Sequence, residues 1–157
     1  MRKRSRARVL EYLRTHHVMT LATQGDAGPW AAAVFYVNEN LTLYWLSAPT
    51  SRHSLHLARN PQAAATVHED YADWPQIKGV QIEGLANEIA GDEAERARTL
   101  YGGKYPVIGN RAQMPAAIAA ALARASWYKL VPNRIWFIDN SIAFGHREEL
   151  DADVALS

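Results

Sequence analysis

The sequence predicts a mainly β fold, a small barrel or sandwich with a few added helices, and three observations support this class. Seven short segments have the length and apolar pattern of strands, and turn residues separate several of them. Only four segments show helical spacing. The Gly-x-Gly-x-x-Gly fingerprint of dinucleotide-binding sheets and the phosphate loop that ends in Gly-Lys-Ser/Thr are both absent. Strands joined by hairpins, with few helices, favour an antiparallel architecture over a doubly wound sheet.

The first half of the chain supplies a helix and three strands. Residues 4–16 have apolar positions on one helical face, and residues 18–23 then have the pattern of a strand. Residues 30–37 are almost continuously apolar, which predicts a strand buried on both faces. A tight turn at residues 38–40 leads into a third strand at residues 41–46.

The second half alternates strands and helices. The predicted elements are a helix from about residue 52 to 60, strands at 63–68 and 78–89, helices at 92–103 and 113–124, and a final hairpin of strands 127–131 and 134–139. Gly84 within the long strand predicts a β-bulge. Pro132 and Asn133 are placed at the hairpin turn.

The totals indicate one domain over residues 1–157. An apolar fraction of 48% and a charged fraction of 21% are those of a folded protein. The longest apolar runs, residues 30–37 and 114–123, fall far short of the ~20 residues of a membrane-spanning helix, so no membrane segment is predicted. The chain has no cysteine, and we expect a cytoplasmic protein.

The positive charge of the chain is concentrated at its start. Five of the 17 lysines and arginines lie in the first eight residues, against 16 acidic residues in the whole chain. Residues 1–8 therefore predict a flexible basic arm. Such an arm could contact nucleic acid, but no helix-turn-helix, zinc or RNA-binding signature follows it, so nucleic-acid binding is not favoured.

The junction between the third strand and the second helix is the candidate binding site. A helix N-terminus attracts a phosphate through its free backbone N–H groups and partial positive charge. Here it also carries hydroxyl groups, a guanidinium and an imidazole, which belong to Ser47, Thr50, Ser51, Arg52 and His53. Thr50 or Ser51 is the expected N-cap. An ordinary capped helix, with Arg52 and His53 facing solvent, is the alternative interpretation.

The three alanines at residues 31–33 form a thin wall in the second strand. Such a wall lets a flat molecule lie close to the backbone, whereas a tightly packed barrel core would produce the same pattern. A shared metal between His53 and His56, one turn apart, is not predicted, because the nearest carboxylate in sequence, Glu69, lies beyond the next strand.

Taken together, these segments resemble the pyridoxamine 5'-phosphate oxidase-like family of FMN-binding split barrels. The motifs that carry the resemblance lie at residues 44–47, 50–61, 78–84 and 132–137, and it extends over residues 8–145. It is closest to a small bacterial branch of the family. The resemblance implies an FMN-binding split β-barrel, with FMN held at a homodimer interface.

The resemblance also implies roles for individual residues. Ser47, Ser51 and Arg52 match positions that hold the FMN phosphate, and Thr50 and His53 stand beside them in the same motif. The family's oxidases carry Lys where this chain has His53, and an Arg on the second strand where this chain has alanine. FMN binding weaker than in those oxidases, or a preference for the deazaflavin F420, is therefore expected as an alternative.

Further positions match the family's contacts to the flavin ring. The backbone of Ala33, Val34 and Phe35 matches the strand that flanks the ring. Lys78 matches a basic residue near the ring, and Gln81 is a weaker candidate for a polar contact.

The implied function is an FMN-dependent oxidoreductase that acts on a small molecule of unknown identity. A non-catalytic carrier or sensor that binds flavin or haem is the alternative. Efficient oxidation of pyridoxamine phosphate is not expected. In those oxidases an Arg-x-His element near the C-terminus contacts substrate, whereas here His146 and Arg147 are adjacent and in the opposite order.

Overall fold

The computed structural model describes residues 2–150. Its strands form one antiparallel sheet that curls into a half-barrel. The strands are β1 (Val18–Gly25), β2 (Gly28–Phe35), β3 (Val37–Glu39), β4 (Thr42–Ser47), β5 (Gln62–His68), β6 (Lys78–Ile89), β7 (Ser126–Asp139) and β8 (Arg147–Glu149). Their spatial order is β2-β1-β5-β6-β7-β4-β3, and β8 pairs with β7. The predicted mainly β class is confirmed.

Helices close the ends of the half-barrel. They are α1 (Arg2–Thr15), α2 (Arg52–Arg59), α3 (Gly91–Lys104), α4 (Pro106–Gly109) and α5 (Ala116–Arg124), with short 3-10 turns at Trp74–Gln76 and Arg111–Gln113. The N-cap of α3 is Ala90, so the helix begins at Gly91, one residue before its predicted start. None of the described helices has the length and apolarity needed to cross a bilayer.

The core lies on the concave face of the sheet. Alternate residues of the strands point inward, and Val9 and Leu13 from α1 and Leu57 from α2 complete the packing. Trp45 is fully buried at its centre. A second, smaller cluster lies beneath α3, where Ala97 and other residues of the helix pack on β3, β4 and β7.

The predicted final hairpin is wrong, because residues 126–139 form a single long strand. Glu83 pairs with Arg134, and the next residue, Gly84, pairs with Pro132. Asn133 is therefore the extra residue of a β-bulge, a position where a proline can remain within a strand. The irregularity expected at Gly84 is confirmed, although the extra residue belongs to β7.

The prediction that residues 30–37 are buried on both faces is also wrong in the isolated chain. They lie mostly in β2, an edge strand whose only pairing partner among the described strands is β1. Trp30 is 40% exposed and Phe35 is 55% exposed. Only Tyr36 and Val37, beyond the end of β2, are buried.

Residues 2–8, within the segment predicted as a flexible basic arm, belong to helix α1. Arg8 forms an ion pair with the buried carboxylate of Asp139, and its guanidinium lies 4.5 Å from the ring centre of Phe137. Ser5 Oγ donates to Glu148, 2.9 Å away. These contacts hold α1 against β7 and β8, and Arg8 balances a carboxylate that would be costly to bury alone.

Candidate functional site

The β4–α2 junction, residues 47–53, begins where β4 ends beside β7. Ser47 is the last residue of β4 and pairs with Ser126. The chain then turns, and the backbone N–H of Ser51 donates to the carbonyl of Ala48. Ser51 has extended backbone angles and is the N-cap of α2, as expected. Its hydroxyl makes no capping hydrogen bond and donates instead to Ala48 O at 2.8 Å. The first N–H groups of α2 therefore lack a side-chain cap.

His53 is held between two serine hydroxyls. Its Nε2 lies 2.8 Å from Ser47 Oγ and 3.3 Å from Ser51 Oγ. Burial and the neighbouring His56 lower the pKa of His53 below its ordinary value of 6.5. The imidazole is consequently neutral at physiological pH. It can orient both hydroxyls without adding a second positive charge beside Arg52.

Arg52 projects from the first turn of α2 over the indole of Trp30. Its guanidinium carbon lies 4.3 Å from the ring centre. Arg52 forms no ion pair within the described part of the chain, so its charge is not neutralised by a carboxylate there. Thr50, exposed and next to the N-cap, adds a further hydroxyl. The junction is thus a small cationic, hydroxyl-rich surface at an uncapped helix terminus.

Residues that the sequence did not single out fix α2 in place. His56 Nδ1 lies 2.9 Å from Thr23 Oγ1, and the imidazole covers Gly25. A Cβ on Gly25 would lie 2.3 Å from His56 Nε2, so any other residue there would have to displace the imidazole. On the other side, the buried Ser54 hydroxyl is 2.7 Å from that of Ser51. The contact of His56 with Thr23 joins residues 33 apart in sequence and has no local signal, whereas Ser51 and Ser54 are neighbours on the chain.

The residues matched to the flavin ring lie on both faces of β2. Val34 pairs with Met19 and packs against the core. Ala33 points to the outer face, in a row with Thr20 on β1 and Thr66 on β5. Phe35 is on the same outer face and its ring meets that of Tyr105 at 5.6 Å. At Ala33, Thr20 and Thr66 the outer face is therefore lined by small side chains close to the backbone.

Lys78 and Gln81 are not close to the junction. Lys78 begins β6 and pairs with Asp139, whereas Ser47 lies beside the opposite end of β6. The 12 residues of β6 extend roughly 36 Å along the strand. Gln81 shares the outer row of Ala33, but β1 and β5 lie between them, a separation of about 14 Å.

Gln81 instead belongs to a groove on the outer face. The groove has a volume of about 660 Å³ and continues over Trp136, whose ring lies under Arg134. Arg147 Nη1 donates to Gln81 Oε1 at 3.3 Å. The neighbouring His146 pairs instead with Glu148, at 2.9 Å. Arg147 and His146 therefore have different partners. Within residues 2–150 no group of three or more metal-binding side chains converges.

Comparison with known proteins identifies relatives of the whole chain. A family profile described as Pyridoxamine 5'-phosphate oxidase matches residues 5–139. A UPF0306 protein of Klebsiella pneumoniae (strain 342) is 29% identical over 143 residues, which are 90% of this chain and 89% of that protein.

Two solved structures show the same fold. A haem-binding protein of Mycobacterium smegmatis superposes with a TM-score of 0.73 at 21% identity, over 96% of this chain and 58% of that one, so this chain spans little more than half of its length. The haem storage protein HutZ of Vibrio cholerae has a TM-score of 0.65 at 18% identity, over 84% and 91% of the two chains.

Proposed function

Because the chain belongs to the pyridoxamine 5'-phosphate oxidase family, we propose that it is an FMN-binding protein that acts as a flavin-dependent oxidoreductase. We further propose that it works as a homodimer, with the flavin at the subunit interface. The observation that carries the proposal is the β4–α2 junction, where an uncapped helix N-terminus, oriented hydroxyls and an unneutralised guanidinium lie together.

The junction suits a phosphate monoester in charge and in hydrogen-bonding capacity. The free N–H groups of α2 and its dipole attract an anion. Each serine hydroxyl has one proton, so it can donate to the phosphate only where His53 does not accept that proton. With its proton on Nε2, the neutral His53 would donate to Ser47 Oγ and leave the Ser47 hydroxyl free to donate to the phosphate. The Ser51 hydroxyl would turn from Ala48 O, and Arg52 would turn from Trp30 and bind two phosphate oxygens.

The edge strand β2 suits the flat part of a flavin. Ala31 and Ala33 expose backbone that a ring can approach, since their side chains end at Cβ. Trp30 and Phe35 stand exposed near the two ends of the strand. A ring lying along β2 would have its phosphate at α2, because Arg52 already contacts Trp30 at the start of the strand.

The outer face of the sheet supports the proposal of a homodimer. Ala31, Ala22 and Ala64 form one cross-strand row, and Ala33, Thr20 and Thr66 form the next. Small side chains allow a second copy of the chain to approach closely around a two-fold axis. The exposed side chains of Val18 and Phe35 border it, and a second chain would remove them from water.

Bound FMN would supply the hydride or electron transfer, while the chain supplies position and a shielded environment. The residues of the junction would hold the phosphate, and β2 would orient the ring. We assign no general acid or base to this site.

Haem or flavin binding without turnover is the alternative. It is favoured by the two solved proteins of this fold that are named for haem binding and haem storage. A preference for F420 would be a variant of the flavin proposal.

The visible spectrum and the mass of the co-purified chromophore test these proposals. We expect the two absorption bands of an oxidised flavin, at about 370 and about 450 nm, and the mass of FMN. A Soret band would identify a haem binder, and a deazaflavin mass would identify F420. Steady-state oxidation of NAD(P)H separates an enzyme from a carrier, since a carrier gives no rate above that of free FMN.

A further inference from the structure

A cavity beside α3 lies outside the proposed flavin site. Its volume is about 550 Å³, within the range of small-molecule sites. It is bounded by α3, by the segment from α4 to the second 3-10 turn, by Leu122 of α5 and by Trp127 of β7. None of the residues of the β4–α2 junction or of β2 lines it.

Close backbone contact between two glycines builds the wall of the cavity. A Cβ on Gly109 would lie 2.6 Å from the carbonyl oxygen of Gly102, and a Cβ on Gly102 would lie 2.9 Å from Gly109 Cα. Neither position can carry a side chain without displacing backbone. Gly103 also lines the cavity, and no atom lies within 4 Å of where its Cβ would be. The space beside Gly103 is therefore open.

The charged groups around the cavity are cationic. Arg98 and Arg111 both line it, whereas no aspartate or glutamate among residues 2–150 does so. Glu95 is the carboxylate paired with Arg98, but its oxygen is 3.9 Å from Nε, and both side chains are substantially exposed. Arg111 forms no ion pair or hydrogen bond with the described residues. Arg111 is thus free to bind an anion, and Arg98 is held only by its long, exposed contact with Glu95.

The remaining surface of the cavity is largely apolar. Trp127 is buried at its base, and Met114, Ile108 and Leu122 contribute aliphatic side chains. A small anion such as phosphate would leave this surface unused. A ligand with an aromatic or branched apolar body and one anionic group would match both parts of the cavity.

We propose that this cavity binds a small amphipathic anion, an aromatic carboxylate being the simplest example. The guanidinium groups of Arg98 and Arg111 bind the carboxylate, and the apolar body packs on Leu122 and Trp127. The site is separate from the junction, so the inference does not depend on flavin binding.

The test is titration of the purified full chain with 2-naphthoate, followed by amide and indole NMR shifts. We expect saturable shifts of the Gly102, Gly103 and Gly109 amides and of the Trp127 indole. Neutral 2-naphthamide should bind at least about tenfold more weakly, since it lacks the charge that the arginines recognise. Arg98→Gln and Arg111→Gln should each weaken 2-naphthoate towards the affinity of the amide.

Two further variants make the result decisive. Arg124→Gln removes an arginine of α5 that does not line the cavity, and it should leave the affinity unchanged. Gly103→Leu adds a side chain at a lining position where a Cβ would meet no atom within 4 Å, and the fold should be retained because leucine favours a helix over glycine. The proposal is overturned if the backbone amides of Gly102, Gly103 and Gly109 do not shift, if 2-naphthamide binds as well as 2-naphthoate, or if binding survives in the double Arg98/Arg111 variant.

Discussion

Replacing Arg52 with alanine should weaken FMN binding without unfolding the protein. A hydrogen bond to a charged group is worth about 1.5–3 kcal/mol. Arg52 must first leave Trp30, and a cation–π contact at an exposed site is worth about 0.5–1 kcal/mol. The net loss in Arg52→Ala is therefore about 1–2 kcal/mol, which corresponds to roughly a 5- to 30-fold weaker affinity.

The measurement is quenching of flavin fluorescence, with riboflavin as a matched ligand that lacks the phosphate. Arg52→Ala should reduce the affinity for FMN and leave that for riboflavin almost unchanged. Arg59→Ala is the control variant, because Arg59 lies in the last turn of α2 and pairs with the exposed Asp26 at 3.3 Å. Its effect on FMN should be less than about twofold.

Two outcomes would refute the reasoning. If Arg52→Ala binds FMN as well as the parent protein does, the guanidinium does not hold the phosphate. If FMN and riboflavin are weakened equally, Arg52 acts on the ring or on the fold. Thermal melts of both variants, followed by circular dichroism, distinguish a local effect from a loss of structure.

Four other predictions follow from the structure. The protein should sediment as a dimer at micromolar concentration, with more than roughly 2,000 Å² buried in total between the subunits. Ala33→Glu on the outer face should shift it towards the monomer. A monomeric parent protein would exclude the proposed interface. FMN-loaded protein should oxidise pyridoxamine phosphate at well below ~1 s⁻¹, and oxygen consumption at or above that rate would contradict this. In urea unfolding, Gly84→Ala should destabilise the fold by about 1–3 kcal/mol or more, since its Cβ would lie 2.2 Å from the carbonyl oxygen of Val131. Gly103→Ala is the control and should not destabilise the fold. Equal stability of the two variants would show that β6 can shift. Because the pKa of His53 is lowered in the folded state, its contribution to stability is present above about pH 6.5 and declines as the pH falls below that value. His53→Gln should flatten this decline. An unchanged dependence of the free energy of unfolding on pH would assign the decline to other groups.

The sequence determined the class of the fold because that class depends on local patterns. Apolar segments of strand length predicted β1, β4, β5 and β6 close to their observed limits. The N-cap at Ser51 and the irregularity at Gly84 were predicted for the same reason. The resemblance to the pyridoxamine 5'-phosphate oxidase family, carried by short motifs, is confirmed by the family profile.

The errors arose where a local pattern has two structural meanings. A proline followed by asparagine is common both in a turn and in a bulge, and only the pairing of β6 with β7 selects the bulge. A continuous apolar run is typical of a strand buried in a core, but it also fits an edge strand that presents an apolar face to another chain. The contact that holds the basic N-terminal helix on the sheet, Arg8 with Asp139, joins residues 131 apart, so no local pattern predicts it.

The composition of the proposed phosphate site could thus be deduced from the sequence alone, since Ser47, Ser51, Arg52 and His53 are neighbours in the chain. Only the tertiary structure decided that His53 lies between the two serines and that Arg52 stands on Trp30. It also decided that Lys78 lies at the far end of β6, because a strand separates its ends by its full length. Local sequence specifies which groups are available, whereas the pairing of distant strands decides which of them meet.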